Sequence, residues 1–291
     1  MSNCLEDIKT KKLHPQIGLE ISGVELSQEI PDEVFSYILD AFNKYAVVLF
    51  RNQPLNDKQQ ITFSRLFGEL EPTSIMKAAT NQFIYQISNI DGYGKVLPAE
   101  SKKRALLEVN TNWHIDSSYK SPPALASILS ARQIPIFESS YTEFCALIPA
   151  YEDLSDNEKQ TLRGLICIHD YNYSLNKKNA TGVPQNEKDA LQPCEQPLVH
   201  KHSDNGETSL YLSSHISSIK GMPVNKGRKI VDDLMKTCIN TEHVYRHEWQ
   251  QDDLIIWDNR CVMHRSTGVP YKEVRRAHRT TIRCKKPLVA V

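Results

Sequence analysis

His114 and Asp116, in the run Trp113-His114-Ile115-Asp116, are the residues of this chain whose types and spacing best suit a metal centre. Residues i and i+2 of a strand project to one face. A strand end here would carry an imidazole nitrogen and a carboxylate oxygen into one pocket. With one distant histidine they make the two-histidine, one-carboxylate triad that holds non-haem Fe(II) and leaves coordination positions open. His-x-Asp alone is a weak signal, because His202-Ser203-Asp204 repeats it. That second copy runs into Asp204-Asn205-Gly206, a turn sequence between the strand-like runs Pro197–His200 and Thr208–Ser213. It is expected to be a solvated hairpin tip.

The third ligand has to come from elsewhere. Asp253-Leu254-Ile255-Ile256-Trp257-Asp258-Asn259-Arg260 reads as a buried strand ending in a polar turn, and Cys261-Val262-Met263-His264 follows it. His264 is placed to complete the triad; the competing reading is a core histidine bonded to backbone. Next comes Arg275-Arg276-Ala277-His278-Arg279. On a strand Arg275, Ala277 and Arg279 share one face. Two inward guanidinium groups need anions, because unpaired buried charge is costly. Arginine binds a carboxylate through two parallel hydrogen bonds. The strand therefore predicts one or two carboxylate ligands beside the metal, or else it is an exposed basic strand with solvated charges.

Three blocks, Trp113-His114-x-Asp116, Trp257-Asp258-Asn259-Arg260-x-x-x-His264 and Arg275-x-x-x-Arg279, resemble in order and spacing the taurine dioxygenase/TfdA family of Fe(II)- and 2-oxoglutarate-dependent dioxygenases. The likeness extends from Val47-Val48-Leu49-Phe50-Arg51 and Phe67-Gly68-Glu69-Leu70-Glu71 to Ile282. Ile87-Ser88-Asn89, Thr142-Glu143-Phe144 and Asp258–Val262 resemble its 2,4-dichlorophenoxyacetate dioxygenase branch. The resemblance implies that His114, Asp116 and His264 ligate Fe(II). It implies that Arg275 pairs with the distal carboxylate of 2-oxoglutarate, with a hydroxyl hydrogen bond from Thr142. Arg279 would meet the anionic group of the substrate, and Asn110, Lys77 and Lys95 resemble substrate-contacting positions. For both lysines a solvated surface role is an equal alternative. The chain departs from the family at Ser139-Ser140, where two glycines are usual. Glycine admits backbone conformations that serine resists, so the turn before Thr142 is expected to differ.

The implied activity is that of a dioxygenase using Fe(II), 2-oxoglutarate and O2 to remove hydrogen from a C–H bond of a small carboxylate-bearing substrate, by default hydroxylating it. The carboxylate of Asp116 disfavours halogenation, since related halogenases carry a small residue there. Desaturation or oxidative cyclisation of an amino-acid-derived precursor begins the same way and stays open. Two readings from other classes compete. A zinc hydrolase could use the same three ligands, but has no need of Arg275. A non-catalytic cupin-like binding protein could share the fold, but has no reason to keep the ligands and the arginine together.

Other features bound the frame in which these residues sit. The chain has 291 residues, is 40% hydrophobic and 24% charged, and is formally neutral. That composition suits a soluble globular protein and points to no nucleic-acid partner. No apolar run is long enough to span a membrane, and the polar Met1–Lys12 lacks a signal-peptide core. Seven scattered cysteines without C-x-x-C suit reduced thiols and a cytoplasmic setting. Whether copies of the chain form a homo-oligomer is left open. Strands are expected at Gln16–Ser22, Ala46–Phe50, Phe83–Ile90, Ala124–Ala131, Tyr141–Phe144, Leu165–Tyr173, Val244–Trp249, Asp253–Trp257 and Arg275–Ile282. Helices are expected from Pro31-Asp32-Glu33 onward, over Asn56–Phe67, from Pro149 and over Val224–Thr237. Ser174–Gln196 reads as irregular. Asp91–Leu106 reads as a long loop without period, either the bulk of an active-site lid around 91–108 or a plain surface insertion. Many short strands with outer helices predict a mainly β protein, a barrel or a jelly roll; the family resemblance implies a double-stranded β-helix, a jelly-roll core. No linker divides 1–291, so a single domain is expected.

Overall fold

Alternation along the central strands sorts the apolar residues onto two faces of one large sheet. The structure, a computed structural model, describes residues 5–73, 82–137, 141–178, 180, 185–268, 270 and 272–291. In chain order the elements are β1 (Lys9–Lys12), β2 (Leu19–Ser22), α1 (Asp32–Tyr45), β3 (Val47–Phe50), α2 (Asp57–Arg65), β4 (Tyr85–Ser88), α3 (Lys102–Val109), β5 (Ala124–Gln133) and β6 (Tyr141–Ala146). Then follow α4 (Leu147–Glu152), α5 (Asp156–Leu162), β7 (Ile166–His169), α6 (Tyr171–Lys177), α7 (Gln185–Ala190), β8 (Cys194–Pro197), β9 (Val199–Lys201), β10 (Thr208–Leu210) and β11 (Ile216–Ile219). The last are α8 (Val224–Cys238), β12 (Val244–Glu248), β13 (Leu254–Asp258), β14 (Val262–Ser266), β15 (Arg276–Arg283) and β16 (Val289–Ala290).

The large sheet runs β1-β2-β3-β13-β5-β15-β4. Val48, Phe50, Ile128, Ile256 and Ile282 project from one face and pack with Ile38 and Phe42 of α1 and Ile61 and Phe63 of α2. Val47, Leu49, Leu129, Ile255, Trp257 and Ala277 project from the other face, as the two-residue period requires. They meet Phe144, Tyr245 and Val262 of the facing sheet β12-β6-β14. This is the double-stranded β-helix expected from the resemblance, a jelly roll with helices outside. The two helices on the outer face start and stop for local reasons. Asp32 and Glu33 occupy the first turn of α1, where negative charge offsets the helix dipole. Ala46 ends α1 in a left-handed conformation, its N–H returning to the Phe42 carbonyl. A capping box between Asn56 and Gln59 opens α2.

Four expectations need correction. The unperiodic 91–106 segment contains most of α3, whose buried side includes Arg104 beside Leu107 and Val109. Arg104 donates to the Pro270 carbonyl, and a charged residue on the inner face hides the apolar period. The strand expected over Leu165–Tyr173 stops at His169, because Asp170 accepts from the Asn172 N–H and starts α6. Ser174–Gln196 is not irregular throughout: it holds most of α6, then α7 and β8. Helices of six or seven residues are too short to display a 3.6-residue period. In β8, Gln196 is buried because its amide donates to the Ser118 and Lys120 carbonyls. Finally, β9 and β10 do form the expected hairpin, but its tip is not simply solvated. His202 is buried and its Nε2 donates to Asp258 Oδ2 at 2.9 Å, while Arg260 pairs with both Asp204 and Asp258. A buried guanidinium draws acids from two directions.

Candidate metal centre and active site

A short backbone bridge brings two distant histidines side by side. The His114 N–H donates to the His264 carbonyl at 3.0 Å, and the His264 N–H returns to the His114 carbonyl at 2.9 Å. The two rings lie 4.2 Å apart. His264 belongs to β14, and its ring reaches the inner face between Trp257 and Phe144. Asp116, two residues past His114, completes the group. Its Oδ1 is 3.9 Å from His114 Nε2, and its Oδ2 is 3.7 Å from His264 Nε2. One ligand atom from each residue lies within 4.8 Å of the other two, and all three residues are buried.

The protonation states suit a cation. His114 Nδ1 lies 2.8 Å from the Asn112 carbonyl, which can only accept. Nδ1 therefore carries the proton and Nε2 keeps its lone pair for the shared space. Burial holds the pKa of His114 below its usual value, and that of His264 well below, so both are neutral near pH 7. Burial alone would raise Asp116, but Arg279, His264, His114 and the Ser127 hydrogen bond together outweigh it and keep the carboxyl ionised well below the usual range. One carboxylate and two neutral imidazole nitrogens, close but not hydrogen-bonded to one another, form a donor set that fits Fe(II).

Arg279 pairs with Asp116 and lies over the ring of Tyr85. Arg275 sits just before β15, buried, in a small cavity shared with Ser88, Asn110 and Ser266. Its N–H donates to Asn89 Oδ1 at 2.7 Å. Its Nε has no hydrogen-bond partner, and among the described residues no carboxylate pairs with its guanidinium. Burial pulls its pKa down to about 10. A buried guanidinium without a counter-ion is costly, so the geometry calls for an anion that the described residues do not provide. Thr142 stands on β6 opposite Ser266 of β14. Its hydroxyl oxygen accepts from Trp249 Nε1 at 2.9 Å, which leaves its proton to donate.

Asn110 caps the C-terminal end of α3 and lines both this cavity and a larger one in front of His114 and Asp116. Lys95 is exposed on a turn, its N–H bonded to Asp91 Oδ1, and is not part of either wall. Lys77, Ser139 and Ser140 lie outside the described residues.

Several residues of the larger cavity carry no signal of their own in the sequence. Tyr119, Tyr171 and His215 form an aromatic wall, with Tyr119 and Tyr171 rings 4.7 Å apart and His215 5.9 Å from His114. Leu106 and Val109 of α3 add an apolar wall. At the mouth Glu71 pairs with Lys120 and accepts from Ser117 Oγ at 3.0 Å. Ser117 holds a left-handed backbone, φ +50°. The one local clue is the polar run Ser117-Ser118-Tyr119 directly after Asp116; Tyr171 arrives from a segment that reads as strand, and His215 from just past the strand-like run Thr208–Ser213.

Comparison with known proteins agrees with this geometry. A family model described as taurine catabolism dioxygenase TauD, TfdA family, matches residues 9–281. The alpha-ketoglutarate-dependent 2,4-dichlorophenoxyacetate dioxygenase of Burkholderia sp. (strain RASC) is 34% identical over 289 residues, covering 96% of each chain. The enzyme of that name from Cupriavidus pinatubonensis is 33% identical, covering 92% of this chain and 95% of its own. Among solved structures, AAD-2 in complex with Mn(II) and N-oxalylglycine superposes with a TM-score of 0.88 at 33% identity, covering 97% of this chain and 98% of that one.

Proposed function

Since the chain belongs to the TauD/TfdA family of dioxygenases, we propose that its buried triad and the arginines around it carry out the Fe(II)- and 2-oxoglutarate-dependent oxidation of a small carboxylate, by default a hydroxylation. Iron bound with 2-oxoglutarate and O2 supplies the oxidising power to take hydrogen from an unactivated C–H bond, with succinate and CO2 as co-products.

The chain's own residues do the rest. His114, Asp116 and His264 hold the metal; both imidazoles are already neutral, so no proton has to leave them first. Arg275 takes the distal carboxylate of 2-oxoglutarate in its cavity, and Thr142 adds a hydroxyl donor. The cosubstrate is thereby held in one orientation. Arg279, paired with Asp116 and lining the larger cavity, is the residue placed to meet the anionic group of a substrate there. Tyr119, Tyr171, Leu106 and Val109 give that cavity apolar walls. They suit a substrate with one carboxylate and an apolar or aromatic body, and they keep water away from it. Relatives named for phenoxyacetate and phenoxypropionate substrates favour the same class. The segment 91–108 serves as a lid, because α3 forms one wall of the cavity, and the whole chain acts as one domain. A reduced, cytoplasmic setting suits the thiols at Cys145, Cys167, Cys194, Cys238, Cys261 and Cys284, all of them free. Among the described residues, no helix is long and apolar enough to cross a membrane.

The observation that carries this reading is the buried Arg275, without a carboxylate partner among the described residues, in a cavity that shares Asn110 with the one in front of His114 and Asp116. A zinc hydrolase would use the triad and leave Arg275 unexplained. The test is anaerobic addition of Fe(II) and 2-oxoglutarate, followed in the visible region, then a screen of aryl and alkyl carboxylates for succinate release. A keto-acid charge-transfer band and a product heavier by one oxygen are expected. A product lighter by two hydrogens means desaturation or cyclisation. No band, with metal-dependent hydrolysis instead, would reject the oxidative reading.

A further inference from the structure

Asp116 is held on the side away from Arg279 by a chain of three buried hydrogen bonds. Ser127 Oγ donates to Asp116 Oδ2 at 2.7 Å. Asn259 Nδ2 donates to Ser127 Oγ at 3.0 Å. Trp257 Nε1 donates to Asn259 Oδ1 at 3.1 Å. Ser127 and Asn259 are fully buried and Trp257 nearly so, so water does not compete.

The direction of the chain is forced from its far end. An indole N–H can only donate, so Asn259 must turn its carbonyl oxygen to Trp257 and its amide N–H to Ser127. The serine oxygen is thereby occupied as acceptor and its proton is left for the carboxylate. A hydrogen bond onto an ionised oxygen is the strong, short kind, and aligned bonds in a buried chain reinforce one another. The backbone provides the register: Trp257 of β13 stands directly opposite Ser127 of β5. Trp257 also packs against the His264 ring at 4.6 Å. One indole therefore bears on two members of the triad, through a face contact to His264 and a relay to Asp116.

We propose that Ser127 and Asn259, anchored by Trp257, are positioning residues that fix the orientation of the Asp116 carboxylate before metal arrives. The proposal rests on the reading of Asp116 as a metal ligand. It gives the Trp257-Asp258-Asn259 run two separate tasks: Asp258 and Arg260 stabilise the turn, while Trp257 and Asn259 serve the triad.

The test is Mn(II) binding to the metal-free protein, read from the loss of the free Mn(II) electron paramagnetic resonance signal, with thermal midpoints of the metal-free variants as the folding control. Ser127→Ala removes the last donor. Asn259→Asp keeps volume but replaces the amide donor by an acceptor, which draws the Ser127 proton away from Asp116. Each is expected to weaken Mn(II) binding by about 10- to 100-fold, as loss of an outer-shell partner does. The double variant is expected to be no weaker than the worse single one, because both act through one hydroxyl. Unchanged binding in a folded Ser127→Ala protein, or losses that add in the double variant, would overturn the relay. If Ser127→Ala does not fold, the same loss in Asn259→Asp supports the relay and unchanged binding there rejects it. Failure of the underlying reading looks different: the unmodified protein does not bind Mn(II), or Asp116→Ala binds it equally well.

Discussion

Arg279 closes an ion pair onto Asp116, the one acid of the buried triad. This pairing gives a buried carboxylate its counter-charge. It occupies Oδ1, while Ser127 donates to Oδ2. On the proposed roles, metal binding and substrate recognition would be linked through this one guanidinium. Arg279→Leu is expected to raise KM for the carboxylate substrate by roughly 10- to 100-fold, the range of one charged hydrogen-bond pair. Mn(II) affinity should be retained or improved. Steady-state kinetics with parallel Mn(II) titration checks this, and an unaltered KM would remove Arg279 from the substrate site.

Arg275 predicts a different kinetic signature. Its cavity shares Asn110 with the one in front of His114 and Asp116, but its guanidinium lacks a carboxylate partner among the described residues. Arg275→Lys keeps the charge but loses the planar fork that grips a carboxylate by two bonds. KM for 2-oxoglutarate should rise about 10-fold or more while KM for the substrate stays near its original value. The ratio of the two effects is the readout; equal changes in both would place Arg275 elsewhere in the cycle.

Asp258 is predicted to matter for stability rather than chemistry. It accepts from Arg260 Nη2 at 2.6 Å and from His202 Nε2 at 2.9 Å. The same three-residue neighbourhood, His202, Asp258 and Cys261, has the spacing of a metal cluster. Asp258 Oδ1 accepts from the backbone N–H and Nε of Arg260, and Oδ2 from Arg260 Nη2 and His202 Nε2, which leaves no lone pair free for a cation. Asp258→Ala leaves buried Arg260 with Asp204 as its remaining acid and His202 without an acceptor, and should cost about 3 kcal/mol, the low end for breaking a buried pair. Urea denaturation measures it, and a loss below 1 kcal/mol would mean that Asp204 alone satisfies Arg260.

Acid should weaken the fold before it touches the carboxylates. Burial lowers the pKa of His114, His169, His215 and His264, for His169 from 6.5 to about 3. The unfolded chain then binds more protons than the folded one between those values. Stability is therefore complete above about 6.5 and falls as pH drops below it, by about 1.4 kcal/mol per unit from His169 alone. Asp116 and Asp258 have lowered values, so their contribution is present above about 3.8 and is lost only at lower pH. The thermal midpoint of the metal-free protein is expected to decline between pH 6.5 and pH 5. A midpoint flat over that window would contradict buried neutral imidazoles.

Much of this protein is readable in its sequence because the informative contacts are local. A two-residue period places His114 with Asp116 and sorts the inner from the outer faces of β3, β5 and β13. Runs such as Val47–Phe50 and Leu254–Trp257 declare buried strands by composition. Asn56 with Gln59 announces a helix start. Short-range geometry of this kind needs no knowledge of what lies opposite.

Flanking residues already distinguish the two His-x-Asp runs along the chain, but only the tertiary structure decides what each one meets, and the reason is physical. Both have the same spacing, but His114 meets His264 across a backbone bridge, while His202 meets Asp258 and Arg260. Likewise α3 was hidden because its buried Arg104 finds its partner at Pro270, and the Asp116 relay exists because β13 pairs with β5 in one register. Spacing along the chain determines which side chains share a face. Which groups they meet, and so whether a charged residue becomes a ligand, a clamp or a strut, is decided by strands that pair across more than a hundred residues.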